Sequence, residues 1–491
     1  MKFSFSQKDF IEQEIDSNKL AIISENDSLT WSDFELEVNK LCSFLEENQL
    51  NKLENPVILF GHKQAEMIVA VYACIKLKIP YIPIDFVYPF ERIEIIKNLA
   101  RVDLILNCSE KVLNIENTVE LKLSKNKIEF SSKNEVKTRT KIQDDPLIYI
   151  IFTSGSTGEP KGVQISTEAV QTFTEWMCND FGFTPNDVFI NVALFSFDLS
   201  VYELLTFGAL GATLLLNDKT TTDNPDVFLK RIEDNKGSVW VSTPSFSFMY
   251  SRMENSTIAN TVKTFLFCGE MLPNVLAKSL KNNFKTTRIL NTYGPTEATV
   301  ATTLIEITSE IIEKFNPLPV GYPKRNSEIL IEENEIVIVG KNVSLGYLNK
   351  PELNKEKFVS RNNERAFKTG DYGILENGML FCKGRNDDQV KLHGFRIELN
   401  EITSKINEIK YVFKAETIAL KRNDEVKKIV SLVQLKETTQ EIDFKQDIID
   451  YLEKCLPNYM IPTDIKLISE IPLNQNGKSD KKMLEQIYLG K

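Results

Sequence analysis

The residues best suited to chemistry in this sequence occupy one short loop. Residues 149–163, YIIFTSGSTGEPKGV, join an apolar run typical of a buried strand to a loop of glycines, hydroxyl residues and one lysine. The glycines can turn successive backbone N–H groups towards an anion, the hydroxyls add donors, and Lys161 adds a mobile positive charge. This chemistry suits a polyphosphate. The loop residues expected to bind it are Thr153, Ser154, Gly155, Ser156, Thr157 and Lys161.

A flexible Gly/Ser connector is the main alternative for this loop. Such connectors do not normally follow an apolar run like residues 147–152. The loop also differs from a Walker A motif, which requires Gly-Lys-Ser/Thr in sequence, because Pro160 precedes Lys161 and Gly162 follows it. The sequence therefore predicts a phosphate site of another class.

The elements around the loop predict an α/β fold. Thr30 and Asp33 form a capping-box pattern at the start of an amphipathic helix. Strand patterns at 56–60, 81–85 and 103–106 then alternate with helical patterns near 67–77 and 91–100, which indicates a layered α/β domain. The polar, lysine-rich residues 124–145 are expected to form a surface connection, and a strand resumes at 188–192.

The length of 491 residues predicts at least two domains. A short polar run at 385–388 predicts a hinge, with a large domain at residues 1–386 and a small α+β domain at 387–491. Strand patterns at 428–434 and 464–468 and an amphipathic helix at 444–455 support the small domain.

Composition excludes several classes of function. The net charge of −10, with charges interspersed, gives no basis for binding nucleic acid or an anionic membrane. Seven cysteines without paired spacing argue against disulfides and a zinc site. The N-terminus carries no signal-peptide pattern and the longest apolar run, residues 67–75, is too short to cross a membrane, so we expect a cytoplasmic protein.

The phosphate loop resembles the third core motif of the adenylate-forming superfamily, which includes amino-acid adenylation domains, acyl-CoA synthetases and luciferases. Four more stretches resemble later motifs of that family and occur in its order. They are residues 291–299 (fifth motif), 369–371 (seventh), 384–396 (eighth) and 476–480 (tenth). Five motifs in order over nearly the whole chain make a chance match improbable.

The resemblance implies ATP and Mg²⁺ as cofactors and assigns roles to single residues. Lys478 is then the catalytic lysine that bridges the substrate carboxylate and the α-phosphate, Glu297 holds magnesium, and Asp371 accepts both ribose hydroxyls. Without the resemblance, Lys478 would be a solvated turn lysine and Asp371 an ordinary turn residue. The remaining residues implied to bind ATP are Asn291, Thr292, Tyr293, which stacks on adenine, Gly294, Thr296 and Arg385.

Residues 195–200 resemble the fourth motif of amino-acid adenylation domains. Asp198 in that motif can pair with an α-ammonium group, whereas a fatty acid would leave this carboxylate buried without a partner. The alternative is a surface aspartate in a polar turn. The other residues implied to line this pocket are Leu199, Tyr202, Leu266, Cys268, Thr292, Val300 and Ala301, whose bulk suggests a small substrate side chain.

Within the superfamily the sequence is most similar to the D-alanine:D-alanyl carrier protein ligases of teichoic-acid modification. Residues 242–246, 265–270, 291–302 and 391–396 resemble that family, in which the cysteine at position 268 is tied to preference for the D enantiomer. Residues 201–205 and the short segment 329–340 depart from its pattern. An enzyme that adenylates glycine, L-alanine or serine for a nonribosomal-peptide-like pathway is the nearest alternative.

The resemblance also implies a second reaction step and a partner. The phosphopantetheine thiol of a separate carrier protein would attack the aminoacyl adenylate after the small domain rotates about Asp387 and presents Gly394. Among other classes, an acyl-CoA synthetase is disfavoured by Asp198. A catalytically dead scaffold need not retain Lys478, Glu297 and Asp371 together, and with only two histidines in the chain a hydrolase triad is also disfavoured.

Overall fold

The computed structural model describes residues 16–25, 27–111, 113, 115, 118–124, 127–132, 147–155, 159–250, 257–385, 388–422, 425–436, 443–472 and 479–490. Its strands are β1 Leu20–Ile23, β2 Ser28–Thr30, β3 Val57–Gly61, β4 Tyr81–Asp85, β5 Ile105–Asn107, β6 Thr118–Ser124, β7 Lys127–Ser132, β8 Leu147–Thr153, β9 Lys161–Ser166, β10 Val188–Asn191, β11 Thr213–Leu216, β12 Val239–Ser242, β13 Thr264–Phe267, β14 Arg288–Tyr293, β15 Thr303–Glu306, β16 Tyr322–Pro323, β17 Ser327–Glu332, β18 Glu335–Gly340, β19 Gly346–Tyr347, β20 Phe358–Arg361, β21 Glu364–Glu376, β22 Met379–Arg385, β23 Gln389–Leu392, β24 Phe395–Glu398, β25 Val412–Arg422, β26 Glu425–Leu435 and β27 Asp464–Leu467.

Its α-helices are α1 Trp31–Glu47, α2 Ala65–Leu77, α3 Phe90–Ala100, α4 Thr167–Asp180, α5 Val201–Leu210, α6 Lys219–Thr222, α7 Pro225–Asp234, α8 Pro244–Phe248, α9 Asn274–Asn283, α10 Ser309–Lys314, α11 Pro351–Lys357, α12 Leu399–Asn407, α13 Phe444–Cys455 and α14 Lys481–Leu489. Short 3₁₀ turns lie at Leu50–Lys52, Asp198–Ser200, Thr257–Asn260, Thr296–Ala298 and Asn458–Met460.

The chain divides into two compact units. The larger comprises Met1–Phe86, Lys97–Ile151 and Gly162–Gly384, and the smaller comprises Val87–Ile96, Phe152–Lys161 and Arg385–Lys491. The smaller unit thus includes two short segments from the first half of the chain, one of which is the phosphate loop. The predicted domain boundary between residues 386 and 387 lies outside the described residues and stays a prediction.

The larger unit contains a nine-stranded sheet in the order β16-β15-β14-β13-β12-β10-β11-β1-β2. The strands from β14 to β1 in this order pair in parallel, and the antiparallel pairs are at the two edges. An eight-stranded sheet in the order β19-β9-β8-β4-β3-β5-β6-β7 has a parallel centre. Alternating strands and helices around parallel sheets confirm the predicted α/β class.

The first helix forms as its sequence predicts. Thr30 accepts a hydrogen bond from the backbone of Asp33, and the Asp33 carboxylate accepts one from the backbone of Thr30, so the capping box is complete. The apolar face of α1 is buried, with Phe34, Val38 and Leu41 fully enclosed. This face packs in the main core of the larger unit, where Phe34 contacts Tyr72 of α2 edge to face.

The prediction that residues 124–145 form only a surface connection is wrong for its first part. Residues 127–132 form β7, which pairs antiparallel with β6 from Ser124↔Lys127 to Val119↔Ser132. Backbone pairing with a neighbouring strand overrides the lysine-rich composition that suggested a loop. Residues 133–146 lie outside the described part of the chain.

The smaller unit contains the predicted α+β elements. Strands β25, β26 and β27 form a sheet in which β25 and β26 pair antiparallel and β26 and β27 pair in parallel. Helix α13 has the bounds that its periodicity predicts, residues 444–455. The hairpin of β23 and β24 leads into α12, and buried residues of all these elements share one core.

Candidate active site

The largest group of predicted site residues lies at the end of β14 and in the turns that follow it. Asn291 donates from Nδ2 to the carbonyl of Pro319 at 2.8 Å, and Thr292 donates to the carbonyl of Phe267 at 2.7 Å. Tyr293 donates from its hydroxyl to Oδ2 of Asp371 at 2.6 Å. The structure therefore joins Tyr293, expected to stack on adenine, to Asp371, expected to accept the ribose hydroxyls.

Asp371 is fixed by the backbone around it. Its N–H donates to the Thr369 hydroxyl at 3.0 Å, and that hydroxyl donates to the carbonyl of Ile336 at 2.8 Å. Gly370 between them has φ of 75°, and its N–H donates to the Glu335 carboxylate at 2.7 Å. Burial, with a further effect from the Asp371 carboxylate, raises the pKa of Tyr293 well above its usual value, so the phenol stays protonated and donates.

Glu297 lies in the 3₁₀ turn Thr296–Ala298 and is fully buried, and Thr296 beside it is also buried. The Tyr347 hydroxyl donates to Oε1 of Glu297 at 2.7 Å. No group of three or more His, Cys, Asp or Glu side chains that could hold a metal occurs among the described residues. The site nevertheless fits Mg²⁺, because this ion needs only one or two protein carboxylates and takes its other ligands from water and phosphate oxygens. Glu297 would be the protein ligand.

Four of the residues implied to line the amino-acid pocket, Tyr202, Thr292, Cys268 and Val300, form one buried cluster in the larger unit. Tyr202 on α5 is fully buried and its hydroxyl lies 2.7 Å from the Thr292 hydroxyl. Cys268, directly after β13, donates from Sγ to the carbonyl of Val300 at 3.8 Å. Burial raises the pKa of Tyr202 well above its usual value, and Cys268 and Asp198 contribute further.

Three further residues implied to line the pocket lie next to this cluster. Leu266 on β13 is fully buried, Ala301 follows Val300 in the chain and is fully buried, and Leu199 packs half-buried against the same core. Asp198 itself begins the 3₁₀ turn Asp198–Ser200 and is half-buried.

A charged network that the sequence did not reveal holds the segment carrying Asp198. The Lys63 ammonium donates to Oδ1 of Asn191 and to the carbonyl of Ala193, and it lies over the ring of Phe195 at 4.5 Å. Asn191 donates in turn to Glu203 of α5 at 3.2 Å. Burial lowers the pKa of Lys63 to about 8 and raises that of Glu203 to about 8. The network thus links both ends of the segment between β10 and α5.

The phosphate loop is held within the smaller unit. The Ser154 hydroxyl donates to the carbonyl of Arg396 at 2.9 Å and accepts from the N–H of Glu398 at 3.1 Å. The Gly155 N–H donates to the Glu401 carboxylate at 3.0 Å, and the Lys161 ammonium pairs with the Glu398 carboxylate at 3.2 Å. Two of the donors expected to bind phosphate, the Lys161 ammonium and the Gly155 N–H, therefore contact carboxylates of β24 and α12.

Gly155 shows why this loop needs a glycine. A Cβ there would lie 1.8 Å from the carbonyl oxygen of Glu159, so no other residue fits without moving the backbone. Thr153 ends β8, and its hydroxyl donates to the carbonyl of Lys161 at 3.5 Å. Arg385 ends β22 at the start of the C-terminal part of this unit.

Four predicted site residues lie outside the described residues, so their roles stay predictions. They are Ser156, Thr157, Asp387 and Lys478. In the part of the chain that the structure describes, no helix combines the length and apolar character needed to cross a membrane.

The comparisons with known proteins agree with this geometry. The AMP-binding enzyme family matches residues 12–348. The chain is 40% identical over 450 residues to the D-alanine--D-alanyl carrier protein ligase of Bacillus cytotoxicus. This match covers 88% of this chain and 89% of the relative. It is 37% identical over 501 residues to the protein of the same name from Bacillus licheniformis, which covers 99% of each.

Two solved structures have the same fold. The chain matches the crystal structure of IdnL1 with a TM-score of 0.80 at 21% identity, over 93% of this chain and 96% of the other. It matches the Vibrio cholerae adenylation domain AlmE, solved in complex with glycyl-adenosine-5'-phosphate, with a TM-score of 0.79 at 19% identity, over 97% and 96%. The chain therefore belongs to the AMP-binding enzyme family and, within it, to the family of D-alanine--D-alanyl carrier protein ligases.

Proposed function

We propose that this protein activates D-alanine with ATP and transfers it to the phosphopantetheine thiol of a carrier protein. In the first step a carboxylate oxygen of D-alanine attacks the α-phosphorus of ATP, and pyrophosphate leaves. In the second step the carrier thiol attacks the acyl carbon of D-alanyl adenylate, and AMP leaves. The observation that carries the proposal is the identity of 37% over 99% of the chain to a relative that bears this name.

The geometry of the larger unit supports a small amino acid as substrate. Tyr202, Cys268 and Val300 are buried, and Cys268 contacts the carbonyl of Val300, so a wall built of these residues would favour a small substrate side chain. Asp198, half-buried beside that wall, would pair with the α-ammonium group. A fatty acid at the same place would leave the carboxylate without a cation.

The nucleotide would be held by residues that are already oriented. Asp371 would accept the two ribose hydroxyls, and Tyr293, fixed by its hydrogen bond to Asp371, would stack on the adenine. Glu297 would be the protein ligand of Mg²⁺, which supplies positive charge to the phosphates when bound. Lys478 would stabilise the charge that develops on the α-phosphate during adenylation.

Transfer to a carrier protein tests the proposal directly. Purified protein, ATP, Mg²⁺ and radiolabelled D-alanine are incubated with a D-alanyl carrier protein in its phosphopantetheinylated form, with the unmodified carrier as control. We expect label on the modified carrier alone, bound as a thioester that hydroxylamine releases. Label from glycine or L-alanine in preference to D-alanine would instead support an enzyme of a nonribosomal-peptide-like pathway.

A further inference from the structure

Lys324 follows β16 in the larger unit and is only 3% exposed. Its ammonium donates to the carbonyl of Ala301 at 3.0 Å and lies 5.4 and 5.1 Å from the ring centroids of Phe173 and Trp176. No carboxylate lies within 4.0 Å of it among the described residues. Burial lowers the pKa of Lys324 to about 7.

The burial of a lysine at this position needs a physical explanation. Removing an ammonium from water without a carboxylate partner is unfavourable, and an apolar side chain of similar volume would fill the same space at less cost. The two aromatic faces recover part of the lost solvation through their interaction with the cation. The remaining contact of the ammonium is the hydrogen bond to Ala301, so that bond and the interaction with the two rings are the features which distinguish lysine from methionine at this position.

Ala301 belongs to a strained turn. Thr299 and Val300 have φ of 55° and 65°, a left-handed conformation that is unfavourable for β-branched residues. Contacts with residues outside the turn hold it in place, and two of them come from Lys324. Lys324 donates from its ammonium to Ala301 and from its backbone N–H to the carbonyl of Thr302 at 2.8 Å, and the Thr299 hydroxyl donates to the carbonyl of Asn342 at 2.7 Å.

The same turn forms part of the candidate amino-acid pocket. The carbonyl of Val300 accepts from Cys268 at 3.8 Å. Ala301 lies directly against Gly294, where an added Cβ would be 2.5 Å from the Ala301 Cα. Phe173, one of the two rings beside the ammonium, also packs edge to face on Tyr202 with ring centroids 5.3 Å apart. Lys324 therefore reaches the pocket wall by two routes, through the turn and through Phe173.

We propose that Lys324 is a specificity-determining positioning residue, which holds the turn at Thr299–Ala301 so that the pocket admits a methyl side chain and rejects a larger one. This inference rests on the proposed function, because it concerns the same pocket. Lys324 touches neither substrate nor nucleotide. It acts through Ala301 and Val300, whose backbone it keeps in a conformation that the turn does not favour on its own.

The test compares Lys324→Met with a matched control, Lys281→Met. Lys281 is a partly buried lysine that also donates to a backbone carbonyl, that of Thr287 at 3.0 Å, a residue outside the pocket cluster. Amino-acid-dependent ATP/pyrophosphate exchange is measured with D-alanine and with D-serine, which adds one hydroxyl. For K324M we expect the preference for D-alanine over D-serine to fall about tenfold, with a raised KM for D-alanine and a KM for ATP within about twofold of the parent.

The control K281M should keep the parental preference for D-alanine over D-serine. A K324M protein that keeps it too, with only a lower melting temperature, would show that Lys324 is merely structural and overturn the inference. If K324M does not fold, Trp176→Leu, which removes one of the two rings but leaves the donor, should lower the preference by a smaller factor, and an unchanged preference there has the same meaning. Failure of the unaltered protein to use D-alanine would count against the proposed function instead.

Discussion

Two parts of the molecule that the sequence assigns to one active site are built in different ways. The strand end and turns at residues 291–302 have their polar groups paired with backbone carbonyls or side chains of the same unit, as in Thr292 to Phe267 and Tyr293 to Asp371. In the phosphate loop the hydroxyls of Thr153 and Ser154 also donate to backbone carbonyls, but the Lys161 ammonium and the Gly155 N–H are paired with the carboxylates of Glu398 and Glu401.

This difference separates the residues that would recognise adenine, ribose and the amino acid from those that would bind the phosphates. Hydrogen bonds from fixed neighbours orient the residues that would select adenine, ribose and the amino acid before any substrate arrives. A phosphate group approaching Lys161 or the Gly155 N–H must displace a carboxylate of the same charge sign. Changes in the residues that line the amino-acid pocket should therefore alter amino-acid affinity and selectivity, whereas changes in the phosphate-handling residues should alter rate and ATP affinity.

The largest effect is expected at Lys478. Lys478→Ala should lower the rate of adenylation about a hundredfold or more, because a charge that stabilises the transition state is lost. The exposed Lys482→Ala, four residues away, is the control. Pyrophosphate exchange at saturating substrates measures the rate, and a rate within a few-fold of the parent would remove Lys478 from catalysis.

A smaller effect, on the affinity for D-alanine, is expected from Asp198→Asn. The amide keeps the shape but not the charge that pairs with the α-ammonium group, so we expect KM for D-alanine to rise on the order of thirtyfold while KM for ATP stays near the parental value. The exposed Asp226→Asn serves as control. A D198N protein whose KM for ATP rises as much as that for D-alanine would show that Asp198 does not act through the amino acid alone.

Substitutions of the two members of the Lys161–Glu398 pair should change the KM for ATP in opposite directions. Lys161→Ala removes a cation for the phosphates and should raise KM for ATP about tenfold. Glu398→Gln removes the competing negative charge and should lower KM for ATP about two- to threefold, with the exposed Glu453→Gln as control. If both variants raise KM for ATP equally, the pair is needed intact and the idea of competition is wrong.

Cys268→Ala should have a modest effect that is confined to the preference between the enantiomers of alanine. Loss of the thiol beside Val300 loosens the pocket wall, and we expect the preference for D- over L-alanine in the exchange assay to fall about fivefold. Cys42→Ala, which removes a buried thiol on α1, is the matched control. Equal changes in the two variants would assign the effect to general destabilisation.

The smallest effect concerns stability and pH. Because burial lowers the pKa of Lys324 to about 7, the unfolded chain binds this proton more tightly than the folded one between pH 7 and about 10.5. The contribution of Lys324 to the free energy of unfolding is therefore full above the unfolded pKa and is lost as the pH falls through 7. The urea midpoint of the parent minus that of K324M should increase from pH 7 to pH 10, and a constant difference would contradict the buried charge.

The sequence predicted the α/β class, the capping box at Thr30 and the helix at 444–455, because these depend on local patterns of apolar and capping residues. It also predicted that Tyr293 and Asp371 serve one site, although they are far apart in the chain. Lys63 and Lys324 were missed because a lysine in a polar stretch is normally solvated, and only the tertiary fold buries these two. Strand β7 was missed because pairing with β6 outweighs composition.

The most direct test of the account is ATP/pyrophosphate exchange by the purified protein with D-alanine, L-alanine, glycine, D-serine and a medium-chain fatty acid. The account predicts exchange that depends on Mg²⁺, is strongest with D-alanine and is absent with the fatty acid. Exchange strongest with another amino acid would contradict the proposed substrate while leaving the adenylation chemistry in place. Absence of exchange with every amino acid would contradict the assignment of this site to adenylation.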